Sequence, residues 1–192
     1  MKADVTKKAL AQSVKELVSK HPLESVSVKD ITDHCGLSRH SFYYHFRDKQ
    51  NLVSWVFKNE VMVNLEQKWP RDIYKDTVAF FKAIEKNKEF YINVFKYEGQ
   101  NSLSDFLYNW NRKDMENYLK SFVDENNQYK ELLEDEFSFT FVVNLMAHTL
   151  SGPTIDWIRM GMKSSAENAA EVIANVLSDF LPSFLKETYR ME

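Results

Sequence analysis

The sequence predicts an all-α fold: an N-terminal three-helix head containing a helix-turn-helix, followed by a C-terminal helical body. Three observations lead there. Only 4 Gly and 4 Pro interrupt 192 residues, and no useful stretch alternates apolar and polar residues as a half-buried strand would. Apolar positions recur instead at helical spacing, first as Leu10, Val14, Leu17 and Val18, the stripe of a one-faced helix. Between Ser27 and Lys49, two short helical patterns are parted by Cys35-Gly36, and glycine tolerates the left-handed backbone that ends a helix. The expected division is residues 1–50 for the head and 51–192 for the body.

The first helix is expected to start at a Thr6 cap and to stop at His21-Pro22, burying its stripe against the two helices that follow. Ser27, three residues before Asp30, suits a hydroxyl cap with a carboxylate in the first turn, and Val28 and Ile31 form the inner face of the second helix. Ser38 caps the third, where Phe42 and Phe46 at i, i+4 turn one stripe inward. Its other faces hold Arg39, His40, Ser41, Tyr43, Tyr44 and His45, all able to donate hydrogen bonds. Two short helices joined at a glycine, the second polar on its outer side, make a recognition helix for a DNA major groove. Arg39, His40 and Tyr44 are the candidates for base edges, because Arg pairs bidentately with guanine and outward N-terminal positions enter the groove. Ser38, Ser41, Tyr43 and His45 suit phosphates, which set register without reading sequence. Lys49 opens the next helix, where the helix dipole and a lysine together attract a phosphate.

Charge agrees with this reading. The total is only -3, but residues 1–52 carry 9 Lys+Arg against 6 Asp+Glu, a balance of +3, with four of the five His; residues 53–192 carry 16 against 22, a balance of -6. A basic head on an acidic body suits a chain that meets phosphate at one end.

The pattern Val28-x-Asp30-Ile31, Gly36-Leu37-Ser38, Phe42-Tyr43-x-His45-Phe46 and Asp48-Lys49 resembles the N-terminal DNA-binding domain of the TetR family of bacterial regulators. Trp55-Val56-Phe57-Lys58, Phe90-Tyr91 and Gly99-Gln100-Asn101-Ser102 resemble the branch named for the regulator of dihydroxyacetone kinase operons. The resemblance implies a homodimer on a near-palindromic operator, a connector helix joining head to body, and a phosphate-binding role for Lys49.

That connector is expected from Asn51 to about Lys68, with Leu52, Trp55, Val56, Val63 and Leu65 inward and Trp69-Pro70 as its stop. Further helices fall near 72–87, 89–96, 102–125 and 129–133, with Gly99 to Ser102 as a break and cap. Two more run over roughly 134–162 and 165–186. The first is apolar nearly all round at its start, so it is expected to be buried by its own body and by a second subunit. Ser151-Gly152-Pro153 is expected to kink it, since proline lacks an N–H and crowds the preceding turn. Trp157, Ile173, Val176 and Phe180 are the candidates for a four-helix dimer interface, the arrangement that the resemblance implies.

The aromatic-rich centre could line an effector cavity, with Trp110, Asn144 and His148 as its polar contacts, because polar groups on a buried helix need partners. His148 also reads as a satisfied core histidine. The expected partners are an operator duplex, a second copy, and either a small effector or, as the dihydroxyacetone branch suggests, a kinase-like protein coregulator. No metal or cofactor is expected: His34, His40 and His45 are spaced by six and five, unlike the i, i+4 pairs that chelate. The lone Cys35 is placed for packing and cannot form an internal disulfide. No nucleophile elbow, HExxH or phosphate loop points to an enzyme. A single cysteine and a charged, amphipathic first twenty residues lead to the expectation of a cytoplasmic protein, and the apolar-rich stretch 137–150 is too short to span a bilayer, so no membrane partner is expected.

Overall fold

The computed structural model describes residues 2–63, 65, 72–125 and 130–188, without the side chains of 2, 3, 131, 180–182, 185 and 188. Every regular element among them is helical. Helix α1 spans Lys2–Val18, α2 Val28–His34, α3 Arg39–His45, α4 Lys49–Phe57, α5 Ile73–Glu85, α6 Lys88–Phe95, α7 Leu103–Glu125, α8 Lys130–Glu134, α9 Glu136–Arg159, α10 Ala166–Asn175 and α11 Leu181–Thr188.

The head forms as its spacing dictates. Leu10, Val14 and Val18 are fully buried and Leu17 packs at the margin of the same cluster. Thr6 is not a cap, because α1 already begins at Lys2; the residues before Thr6 carry no helix breaker, so the turn continues back. At α2 the Asp30 amide donates to Ser27 Oγ at 3.1 Å while the Ser27 amide donates to Asp30 Oδ2 at 2.9 Å, which satisfies two donors that a helix start leaves open.

The connector departs from expectation. After Phe57, α4 continues as one π-helical turn over Lys58–Met62 and stops, short of Lys68. Val63 is exposed, whereas Leu52, Val56 and Leu65 are buried. Trp69-Pro70, the expected stop, lies outside the described residues. Helix α9 runs unbroken through Pro153, where the sequence argued for a kink.

In the body, α7 lies along α9 and α10 along α5. Phe57 is met edge-on by Phe80, Tyr91, Phe95 and Phe106, with ring centroids between 5.7 and 6.4 Å. Through this cluster the apolar interior is continuous from Leu10 in α1 to Leu177 after α10. The head therefore sits on the body through shared core. Polar ties reinforce the junction: Asn93 Nδ2 of α6 donates to Val18 O at 2.9 Å. Lys15 meets Glu60 Oε1 at 2.6 Å, and Asn87 Nδ2 donates to Glu60 Oε2 at 3.1 Å.

Candidate nucleic-acid interface

The site is built on the turn between α2 and α3. Gly36 has φ of +68°, a conformation in which a side chain is strained, and the Leu37 amide returns to Thr32 O at 2.9 Å. Ser38 then starts α3, its Oγ accepting from the Ser41 amide at 3.0 Å and lying 2.9 Å from Ser41 Oγ. Phe42 and Phe46 are buried behind the helix, 5.8 Å apart, and Trp55 of α4 packs edge-on to Phe46 at 5.9 Å. A seven-residue helix is marginal alone; here a cap at one end and two phenylalanines on one side hold it.

The opposite side is open. Arg39 and His40 are exposed, Tyr43 is 51 % and Tyr44 79 % exposed. At positions i, i+1, i+4 and i+5 they form two adjacent rows, so the structure brings the three expected base readers and Tyr43 onto one face. His45 is half-buried, its ring edge-on to Tyr44 at 4.9 Å. Ser38, expected at a phosphate, has its hydroxyl engaged as the helix cap. Arg47, exposed and 3.1 Å from Asp48 Oδ2, is a basic group beside this face that sequence reasoning missed; its position directly after Phe46 was the available signal.

Lys49 is not where a phosphate-binding lysine was expected. Its ammonium points back into the head and donates to Leu23 O at 2.6 Å, Val26 O at 2.7 Å and Glu24 O at 3.1 Å. Partial burial draws its pKa below the usual lysine value, against the pull of Glu24 and Asp30. His34 lies 3.5 Å from Glu16, and the Cys35 thiol donates to Ile31 O at 3.2 Å. Among the described residues, no three His, Cys, Asp or Glu converge as metal ligands.

The expected effector residues do not come together. Trp110 stacks on Phe80 at 6.3 Å and lines a cavity of about 60 Å³ between α5, α7, α9 and α10. Asn144 and His148 face α7 away from the cavity: Asn144 Oδ1 accepts from Arg112 Nε at 3.0 Å, and His148 lies on Tyr108 at 4.4 Å. They are on the wrong side of α9, because a helix apolar nearly all round gives no register for its few polar groups. The buried polar groups at the cavity are Asp76, Asn111 and Thr154, with Asn111 Nδ2 donating to Ser151 Oγ at 2.8 Å.

The four expected interface residues fall in different surroundings. Trp157 is half-buried, packs edge-on to Phe81 at 5.0 Å and donates its indole N–H to Ser164 O at 3.0 Å, both within its own chain. Ile173 is buried at the cavity against α5. Val176 borders an apolar recess, and the Phe180 side chain lies outside the described residues. On α9 itself, Phe137, Phe141 and Leu145 are left outside, at 75, 60 and 46 % exposure.

A capped recognition helix backed by aromatic residues on a three-helix head defines the class: a helix-turn-helix DNA-binding regulator. Residues 14–55 match the family model for bacterial regulatory proteins of the tetR family, and residues 71–179, more than half the chain, match that for a transcriptional regulator C-terminal region of the same family. The chain belongs to the TetR family. It is 24 % identical over 179 residues, covering 92 % of this chain and 90 % of the other, to the HTH-type dhaKLM operon transcriptional activator DhaS of Lactococcus lactis subsp. lactis (strain IL1403). Its fold is similar to that of the solved dihydroxyacetone kinase operon activator DhaS, with a TM-score of 0.64 at 20 % identity over 93 % of this chain and 97 % of that one. No helix among the described residues is long and apolar enough to cross a membrane.

Proposed function

We propose that this chain is a homodimeric, sequence-specific transcriptional regulator, with a head of residues 1–50 reading DNA and a body of residues 51–192 that pairs with a second copy and receives the signal. The α3 helices of two copies enter successive major grooves of a near-palindromic operator. The observation that carries this reading is the open face of α3. Arg39, His40 and Tyr44 reach base edges, and Tyr43, His45 and Ser41 lie at the flanks where phosphates run. Two copies pair through the outer stripe of α9, Phe137, Phe141 and Leu145, with Val176 at the recess beside it.

The test is selection of binding sites by the purified protein from random duplexes. An inverted repeat with half-sites about one helical turn apart is expected. Arg39→Ala and Tyr44→Ala should each weaken operator binding by roughly 10- to 100-fold while leaving the dimer folded, since one base contact is worth about 1–3 kcal/mol. Operator affinity retained by both variants overturns the reading.

Switching by a small effector uses the cavity bordered by Trp110, Asn111 and Thr154; an effector moves the heads only by its difference in affinity for two states. The small size of that cavity, about 60 Å³, favours a second reading, in which a protein coregulator docks on the body. Calorimetry with dihydroxyacetone and related small metabolites separates the two, because saturable one-site binding supports the effector and silence supports the protein. One similar protein is called an activator of a dhaKLM operon and the other of a dihydroxyacetone kinase operon, which makes an operon of that kind the first target to test.

A further inference from the structure

Lys49 lies just beyond the far end of the helix-turn-helix, and its three carbonyl partners lie just before the near end. Leu23 and Glu24 belong to the short 3-10 turn Leu23–Ser25, and Val26 directly precedes the Ser27 cap of α2. At 2.6, 2.7 and 3.1 Å the three carbonyls engage every N–H that a lysine ammonium owns. Both ends of the strap are themselves fixed. Leu23 and Val26 are buried, and the first turn of α4 is capped by Asp48, whose Oδ1 accepts from the Asn51 amide at 2.7 Å.

We propose that Lys49 is a positioning residue for operator binding: its ammonium clasps the two ends of the helix-turn-helix, setting the height and tilt of α3 against α1, and does not neutralise a phosphate. The inference rests on the reading that α3 enters the major groove. Its chemistry is specific to a primary ammonium. Three single-atom acceptors converge on one nitrogen, a tripod that a planar guanidinium cannot fill although it carries the same charge.

The experiment is a salt titration of operator and random-duplex binding by the full-length wild type, Lys49→Arg and Lys49→Met, with melting temperatures recorded alongside. The clasp predicts that both variants lose at least 10-fold in operator affinity and keep their affinity for random duplex. It also predicts that Lys49→Met keeps the wild-type dependence of log K on log salt. A phosphate contact predicts that Lys49→Arg binds like wild type and that Lys49→Met loses about 0.9 of that slope per protomer; either result overturns the proposal. Should both variants fail to fold, the lysine ammonium 15N–1H spectrum of the wild type decides. A Lys49 signal protected from exchange in the free protein and unmoved by operator supports the clasp, and one that shifts on adding operator overturns it. A wild type that selects no operator overturns the functional reading and this inference with it. A wild type that does, alongside an indistinguishable Lys49→Arg, overturns the inference alone.

Discussion

Asp30 shows how much one side chain does in the head. Its carboxylate takes hydrogen bonds from the Ser27 hydroxyl and amide, which hold its pKa below the ordinary aspartate value. A lowered folded pKa means that the unfolded chain binds the proton more readily. The cap's contribution is therefore complete above about pH 4 and is lost as pH falls through the folded value. Wild type should be more stable than Asp30→Asn in urea at pH 6, and the gap should narrow as pH falls below about 4. Ser27, Asp30, Ser38, Phe42 and Phe46 were legible in the sequence because a cap and an i, i+4 pair are local patterns. Lys49 was not: its partners lie in an irregular turn more than twenty residues upstream, and a lysine at a helix start suggests a phosphate until its ammonium is seen pointing elsewhere.

Among the elements, the α2–α3 turn is the one that fixes the recognition helix, and Gly36 is its pivot. A Cβ at Gly36 would meet nothing within 4 Å, so substitution there is penalised by the backbone alone. Gly36→Val should cost about 1–2 kcal/mol in urea unfolding, and Gly36→Asn less, because asparagine tolerates the left-handed region. Helix positions in the body were also readable: Asp72, Ser102 and Ser165 mark the starts of α5, α7 and α10, and Asp135, one residue past the expected start, that of α9. Their Oδ or Oγ atoms accept from amides two or three residues on. The connector was not readable, because Leu52, Trp55 and Val56 set a register that a π-helical turn then shifts by inserting a residue into the helical spiral. Pro153 does not end α9. Proline removes one hydrogen bond, and a 24-residue helix packed along α7 retains enough others to carry it.

At the scale of the molecule, the unanswered apolar surface is on α9. Phe137, Phe141 and Leu145 recur every four residues on the outside, next to a recess of about 230 Å³ floored by Met146, Leu150 and Leu177. Phe141→Glu should leave helicity unchanged, shift the protein to monomer in sedimentation, and lower operator affinity by more than 10-fold, because two half-sites then bind without linkage. The sequence announced that this helix is apolar nearly all round. It did not say which side its own chain takes, since that depends on how α7 and α10 settle: Ile173 is buried against α5, while the half-buried Trp157 packs on Phe81 of its own chain.

Glu60 sits where these scales meet. One of its oxygens holds Lys15 of the first helix and the other holds Asn87 at the corner between α5 and α6. A carboxylate is a rigid planar fork, so neither partner can travel far without prising the other loose. Movement in the helical bundle therefore reaches α1 along this two-pronged latch as well as along the Asn93 tie to Val18 and the shared core.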